Sequence, residues 1–229
     1  LIEEAVSAAM QQTESACEAR GYSLRERVGS ACWQLDQQLC VDLLAQWLRH
    51  ERERSVSFRV VEMEQNQTLQ VEGLSLTLRP DRIDELEDGR RAVIDYKTRA
   101  PSRTHWLGER PQQPQLPLYS LLEPKIQGIA FAELSASDPV QFIALGEDLG
   151  LAKGDGKSLE QQTRSIAATW PELVAQWETS LQQLAGEFMA GEAAVNPQPG
   201  ACDYCDLASL CRIKEVSTGA DPAASEESA

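Results

Sequence analysis

The sequence predicts an α/β domain in which helices cover a sheet of short strands. Apolar residues four apart, from Leu35 to Trp47, form the stripe that one face of a helix requires. Short apolar and β-branched runs between residues 57 and 98 are separated by turn residues, as in a series of strands. A capping-box pattern at Thr169 opens a second amphipathic helix. A chain of 229 residues is long enough to bury a core between such elements.

The composition is acidic, with 36 Asp and Glu residues against 21 Lys and Arg and a formal net charge of -15. This charge opposes phosphate binding by the whole surface, so a contact with nucleic acid has to be local. No apolar run reaches the roughly 18 residues of a spanning helix. The six cysteines come without a secretory leader. We therefore expect a soluble, cytoplasmic protein with no membrane partner, and its start at Leu1 suggests a piece of a longer chain.

The elements follow in order. The helix that begins at Leu35 is expected to cover the sheet, with Cys40 as a buried thiol on its apolar face. The first four strands are expected to form a meander, and a helix near Pro114 can hold Pro117 in its first turn. The last helix is expected to end near Gly191. The predicted strands are residues 57–63, 68–71, 74–84, 91–98, 128–134 and 139–144.

The most informative side chains are Asp81, Asp95 and Lys97. Side chains two apart on a strand share a face, so Asp95 and Lys97 project together while Tyr96 points the other way. A two-residue turn before Arg90 would put the two aspartates on opposite faces, whereas a three-residue loop ending in a left-handed Gly89 sets them directly opposite each other. We favour the second register, which also pairs Ile83 with Val93.

Two opposed carboxylates, with the backbone carbonyl of Tyr96, make an oxygen site suited to Mg²⁺ or Mn²⁺. Such an ion favours phosphodiester hydrolysis, in which Lys97 would orient water or stabilise the transition state. Alone, an Asp-x-Lys pair is typical of a solvated ion pair. Here Asp81 lies 14 residues upstream, and Gln115 and Tyr119 follow on one helix face.

These motifs, together with Trp47-Leu48-x-x-Glu51-x-x-Arg54, resemble the RecB/AddB-type nuclease domain of the PD-(D/E)xK superfamily. The resemblance implies a restriction-endonuclease-like core, a mixed central sheet flanked by helices. It also implies that Asp81 and Asp95 hold the metal, that Lys97 completes catalysis, and that Gln115 and Tyr119 line the cleft. Members of this family are often attached to a helicase and act in double-strand break repair.

The family usually adds a metal-binding His, sometimes a Glu, on a helix before the sheet, and its motif is missing from this sequence. His50 is expected to be solvated at a charged helix end, and His105 to lie in a loop. Asp84 has the wrong strand parity to replace Asp81. Glu64 is another candidate polar contributor, although an ordinary strand end explains it better.

Cys202, Cys205 and Cys211 have the close spacing of ligands for Zn²⁺ or an iron-sulfur cluster. Because such sites usually have four ligands, three thiolates leave one ligand position unfilled. The resemblance implies a [4Fe-4S] cluster whose fourth cysteine normally comes from far upstream. The candidates to replace it within this sequence are Cys17, Cys32 and Cys40.

The least acidic part of the chain is residues 79–110, with eight basic and seven acidic side chains. Its arginines are candidate contacts to DNA phosphates, or simply balance their acidic neighbours. Trp106 is a candidate for stacking on an unpaired base, or packs beneath a loop. The candidate DNA-binding arginines are Arg79, Arg99, Arg103 and Arg110.

These observations predict an Mg²⁺-dependent, exonuclease-like deoxyribonuclease that cuts single-stranded DNA ends with a helicase partner. The alternatives are a catalytically incomplete nuclease fold that binds DNA ends or a partner, and a zinc-binding adaptor. The predicted divisions are a helical N-terminal segment (1–34), the nuclease domain (35–196), the cysteine-cluster extension (197–213) and a disordered acidic tail (214–229).

Overall fold

The computed structural model describes residues 1–151, 158–198, 200–203 and 205–211. It divides into two compact units, Leu1–Ala185 and Gly186–Ala229. The helices are α1 (Ile2–Glu18), α2 (Leu24–Val28), α3 (Ser30–Arg52), α4 (Gln115–Ser120), α5 (Leu159–Gln162), α6 (Trp170–Met189) and α7 (Ala208–Cys211). The strands are β1 (Phe58–Met63), β2 (Gln67–Val71), β3 (Leu74–Leu78), β4 (Arg82–Leu86), β5 (Arg91–Lys97), β6 (Ile126–Glu133) and β7 (Gln141–Gly146).

Five strands form the main sheet in the order β1-β4-β5-β6-β7. β5 and β6 are parallel, and the other neighbours are antiparallel. A short 3-10 helix (Arg103–Trp106) and α4 lie in the crossover between the two parallel strands. Helices pack on this mixed sheet, so the predicted α/β fold class is confirmed.

The predicted meander is wrong. Residues 74–84 form two strands because Pro80 has a fixed φ and no amide donor for a continuous ladder. β2 and β3 form a separate hairpin whose turn residues, Glu72 and Gly73, both have positive φ. β1 therefore pairs with β4 instead of β2.

The β4–β5 hairpin has the predicted register. Ile83 pairs with Val93, and the Leu86 amide donates to the Arg90 carbonyl at 2.8 Å. Gly89 has a φ of 83°, the left-handed conformation that closes a three-residue loop. This register places Asp81, one residue before β4, opposite Asp95.

Side chains of the main sheet alternate between two cores. One face packs against α4, α6 and the buried Trp106. The other packs against Trp47 near the end of α3 and against residues around β7. Each core thus holds one face of the strands that carry the two aspartates. The sheet residues of the first core include Ile83, Val93, Ile129 and Phe131, and those of the second include Leu86, Ala92, Ile94 and Ala130.

The expectation that the whole stripe of α3 is buried is wrong. Trp47 is buried, but Leu35 is 70% exposed and Cys40 is also exposed. The first turns of α3 pack only partly against α1 and α2, and the Trp47 end reaches the sheet. Helical periodicity reports a potential apolar face and does not report how far along the helix a partner extends.

The predicted helical character of residues 1–34 is present in α1, α2 and the start of α3. The predicted tail, residues 214–229, lies outside the described residues. Within the described part of the chain, no helix combines the length and the apolarity needed to cross a bilayer.

Candidate metal centre

Strand alternation places the side chains of Asp95 and Lys97 on one face of β5. The neighbouring Ile94 is fully buried on the other face, against the core that contains Trp47. The Lys97 ammonium lies 2.5 Å from Asp95 Oδ2. The Asp95 side chain is only 2% exposed and that of Lys97 is 32% exposed, so the pair lies at the edge of the core with the amine toward solvent.

Asp81 reaches the same place from the position just before β4, the neighbouring strand. Directly opposed residues in an antiparallel pair have Cβ atoms about 4.5–5.5 Å apart. The Tyr96 amide donates to Asp81 Oδ2 at 2.9 Å, which turns the Asp81 carboxylate toward the end of β5. The two carboxylates are close enough for the charge of Asp81 to act on the ionisation of Asp95.

Gln115 joins the other polar groups of the site. Its amide nitrogen donates to Asp95 Oδ1 at 2.8 Å and to the Tyr119 hydroxyl at 3.1 Å. Its amide oxygen accepts from the Lys97 ammonium at 3.2 Å. The Tyr119 hydroxyl donates in turn to the Arg79 carbonyl at 3.1 Å. The predicted helix α4, which begins after Pro114, therefore holds both partners of the ion pair.

The electrostatics of the site favour a bound cation. Burial, followed by the nearby Asp81 charge, raises the pKa of Asp95 even though Lys97 and Gln115 favour its ionised form. Burial also raises the pKa of the Tyr119 hydroxyl, and the charges of Asp95 and Asp81 add to the shift. Asp95 Oδ2 is a buried atom with no hydrogen bond among the described residues, although Lys97 lies beside it.

The donor set fits Mg²⁺ or Mn²⁺ in part. Asp81 and Asp95 supply two hard carboxylates, and the Tyr96 carbonyl is the predicted third oxygen. With Lys97 the group carries a net charge of about -1, which a cation would balance. Within the described residues there is no group of three or more His, Cys, Asp or Glu side chains placed to hold a metal, so water would have to complete the shell.

On the opposite face of β4 lies a buried network that the sequence analysis missed. Arg82 contacts Asp84 through two hydrogen bonds of 2.6 and 2.9 Å. It also donates to Glu51 at 2.8 Å and to the Tyr96 hydroxyl at 2.9 Å. Arg54 donates to Asp84 at 2.6 Å. We call Glu51, Arg54, Arg82 and Asp84 the α3–β4 network.

The α3–β4 network is electrically balanced, with two arginines and two carboxylates. Its side chains are at most 10% exposed. Burial opposes the charged form of Arg82, but its bonds with Asp84 and Glu51 hold its pKa above the ordinary value. The Arg54 guanidinium stacks 3.5 Å from the centre of the Phe58 ring. Two signals in the sequence pointed here: Glu51 and Arg54 share a helix face, and Arg82 and Asp84 share a strand face.

A second missed residue is Glu133 at the end of β6. It pairs in register with Lys97 on the neighbouring parallel strand. Its buried carboxylate accepts from the Ala100 amide at 2.8 Å and from Gln141 at 2.9 Å. Glu133 thereby holds the segment that follows β5.

The proposed stacking role of Trp106 is wrong for this structure. Its side chain is fully buried, and its ring centre lies 5.0 Å from that of Phe131. Its carbonyl accepts a hydrogen bond from Trp177 at 2.6 Å. An aromatic ring enclosed in this way has no face to offer a base, so the packing alternative is the one observed.

The four candidate DNA-binding arginines have different surroundings. Arg99 and Arg110 are exposed and Arg103 is half-buried. The Arg79 side chain is 60% exposed and pairs with Glu64 at 2.7 Å. Their position after β5 or just before Asp81 puts them in chain segments that flank the site.

His50 is not solvated as expected. Its ring centre lies 5.7 Å from that of Trp47 and 5.6 Å from that of Phe142, and its Nε2 atom is buried without a hydrogen bond among the described residues. Its surroundings are aromatic rather than those of a metal ligand. Glu64 pairs with Arg79, and Asp84 lies in the α3–β4 network.

In the second unit, Cys202, Cys205 and Cys211 are exposed free thiols. The Cys205 amide donates to the Cys202 carbonyl at 3.4 Å, so the first two lie in one turn. The described residues do not gather the three thiols into a metal-holding group.

In a comparison with protein-family models, the model for the PD-(D/E)XK nuclease superfamily matches residues 1–212 of this chain. The chain belongs to this superfamily. Within this PD-(D/E)XK chain, the residues predicted for the motif, Pro80-Asp81 and Asp95-Tyr96-Lys97, lie in the β4–β5 hairpin and just before it, where the register sets Asp81 opposite Asp95. Superfamily members are generally nucleases and typically use divalent metals.

Two further comparisons add little to this assignment. A search of the curated proteins finds no match. A solved structure described as "Crystal structure of SSO0001" is 16% identical over 83% of this chain and 81% of that chain, with a TM-score of 0.36. That likeness is too distant to carry an argument about this PD-(D/E)XK protein.

Proposed function

We propose that this protein hydrolyses DNA phosphodiester bonds, with Asp81 and Asp95 holding Mg²⁺ or Mn²⁺. The observation that carries the proposal is the β4–β5 register, which sets the two aspartates opposite each other beside Lys97. Together, the side chains of Asp81, Asp95 and Lys97 carry a net charge of about -1. A cation at this point would balance a buried carboxylate whose ionised form is disfavoured by burial.

The bound cation would lower the pKa of a water molecule and neutralise charge on a phosphoryl oxygen. Lys97 has the reach and exposure to meet the same phosphate, because its ammonium lies at the solvent edge of the site. Gln115 fixes that ammonium and Asp95 through one side-chain amide. Tyr119 orients Gln115 and is itself anchored on the Arg79 carbonyl.

We further propose a RecB/AddB-type role, in which single-stranded DNA ends are cut in double-strand break repair with a helicase partner. This is supported by the order and spacing of the Glu51, Asp81, Asp95 and Gln115 motifs in the sequence. The exposed Arg99 and Arg110 and the half-buried Arg103 would contact the phosphates. Arg79 would exchange its surface pair with Glu64 for a DNA phosphate, since an exposed ion pair contributes only about 0–1 kcal/mol.

The cysteine trio is proposed to ligate a [4Fe-4S] cluster together with one further ligand. Support comes from the Cys-x2-Cys-x5-Cys spacing and from the exposure of all three thiols. Brown colour with iron and sulfide in the purified protein is the expected result, and it should be lost in Cys205→Ser. Stoichiometric zinc would instead favour the adaptor function.

The nuclease proposal is tested with end-labelled single-stranded DNA in the presence of Mg²⁺ or Mn²⁺. We expect cleavage by the wild type and its loss in Asp95→Ala and Lys97→Ala. The matched controls are Asp42→Ala and Lys125→Ala, which remove exposed charges elsewhere in the fold. Unchanged cleavage in the two site variants would rule the assignment out. A label released as mononucleotides would support the exonuclease-like mode, and internal cuts would contradict it.

A further inference from the structure

Tyr96 contacts both the candidate metal centre and the α3–β4 network. Its amide donates to Asp81 Oδ2 at 2.9 Å on the side of the candidate metal centre. Its hydroxyl accepts from Arg82 Nη1 at 2.9 Å on the side of the α3–β4 network. Its ring also meets the buried Trp47 edge-on, with 5.9 Å between ring centres. Tyr96 is thus fixed at its backbone, its ring and its hydroxyl.

Asp81 needs such support because it lies outside the regular ladder. β4 begins at Arg82, one residue later, and Pro80 on the other side cannot donate a backbone hydrogen bond. The side-chain bond from the Tyr96 amide engages Oδ2 and leaves Oδ1 without a hydrogen bond among the described residues. A small rotation of β5 at Tyr96 would therefore redirect the Asp81 carboxylate.

Arg82 is well suited to prevent that rotation. Its planar guanidinium is held by two bonds to Asp84 and by two bonds, of 2.8 and 3.2 Å, to Glu51 on α3. Such bidentate contacts fix the orientation of the side chain as well as its charge. The Tyr96 hydroxyl therefore accepts a hydrogen bond from a guanidinium that is itself bonded to a helix and to the strand next to β5.

We propose that Arg82 and Tyr96 are positioning residues for the metal centre. The α3–β4 network holds the Tyr96 hydroxyl, the fixed tyrosine holds its own amide against Asp81, and the amide sets the separation of the Asp81 and Asp95 carboxylates. This inference rests on the proposed function of that centre. It assigns the buried ion network on the far face of the sheet a role in metal affinity in addition to its role in folding.

The test is the affinity of the whole protein for Mn²⁺, measured by electron paramagnetic resonance, in Tyr96→Phe and Arg82→Lys. Tyr96→Phe removes only the hydroxyl and keeps the ring and the amide. We expect both variants to bind Mn²⁺ about tenfold more weakly, at the lower end of the effect that outer partners have on metal sites. The Mn²⁺ concentration for half-maximal DNA cleavage should rise by the same factor, with the rate at saturating metal changed less than about twofold.

The matched control is Tyr22→Phe, because Tyr22 also contacts an arginine, Arg27, but lies between α1 and α2. Wild-type Mn²⁺ affinity in Tyr96→Phe would overturn the inference. If Arg82→Lys unfolds, Tyr96→Phe alone decides, since it leaves every charge of the network in place. Absence of Mn²⁺ binding by the wild type would instead contradict the proposed function. Failure of the positioning inference and failure of the proposed function therefore give different results.

Discussion

Strands β4 and β5 carry charged groups on both faces of the sheet, and the two sets differ in how their charges are balanced. On one face, the α3–β4 network pairs two arginines with two carboxylates in a nearly closed interior. On the other, two carboxylates, Asp81 and Asp95, stand beside one ammonium, that of Lys97, which pairs with Asp95. A balanced set stabilises a particular packing of helix on strand. An unbalanced set at the edge of a core has the charge that a further cation would neutralise, as the proposed function requires.

The carboxylates on the two faces also differ in their hydrogen-bond partners. Each network carboxylate is met by an arginine at 2.8 Å or less. Asp95 is met by a neutral amide and by an amine, and burial still raises its pKa. Buried charge by itself therefore does not identify a functional site, whereas a buried charge with too few opposite partners marks a candidate for one.

The largest expected effect comes from Asp95→Asn. This substitution removes one negative charge from the metal centre and keeps the shape of the side chain. We expect cleavage of single-stranded DNA to fall at least about a hundredfold. The free energy of unfolding in the absence of metal should stay the same or rise, because the replaced carboxylate is ionised against its burial. Gel assays and urea denaturation measure the two quantities. A fall in stability as large as that of a variant in the α3–β4 network would contradict the difference in charge balance between the two faces.

Arg82→Met makes the corresponding change on the network face. It leaves Asp84 and Glu51 buried without their main partner, so we expect a loss of about 3–5 kcal/mol in the free energy of unfolding. Arg59→Met is the matched control. That side chain is 73% exposed and pairs with Glu85, so a loss of about 1 kcal/mol or less is expected. Similar losses in both variants would contradict the picture of a stabilising interior network.

Gln115→Ala separates the positioning of the charged groups in the metal centre from their charge. It removes the amide that holds Asp95 and Lys97 but leaves both charges in place. We expect kcat for DNA cleavage to fall about tenfold to a hundredfold, with little change in KM. The exposed Gln112→Ala is the control. A change confined to KM would show that Gln115 binds DNA instead of positioning catalytic groups.

The smallest expected effect is on the pH dependence of stability. Because the pKa of Asp95 is raised above its usual 3.8, the folded chain binds a proton more tightly than the unfolded chain. As pH rises through the window between 3.8 and the folded-state pKa, the metal-free wild type should lose stability relative to Asp95→Asn. Urea titrations of both proteins across this window measure the difference. A difference that does not change with pH would contradict the assigned burial of the Asp95 charge.

The sequence predicts the register of the β4–β5 hairpin and the start of α4 because the signals for both are local. Gly89 and the two-residue period of the strands determine the register of one hairpin, and Pro114 marks the start of α4. The α3–β4 network was missed because it depends on the end of a distant helix packing over β4. Trp106 and Leu35 were misjudged for the same reason: what covers a side chain is a property of the assembled fold.

The central claim is that Asp81 and Asp95 converge on one divalent cation. Anomalous scattering from manganese in a crystal of the whole chain tests it most directly. We expect one peak bonded to an oxygen of each aspartate, at about the 2.0–2.1 Å typical of Mg²⁺. Manganese bound elsewhere, or Asp81 and Asp95 oxygens pointing away from a shared point in the presence of saturating metal, would contradict it.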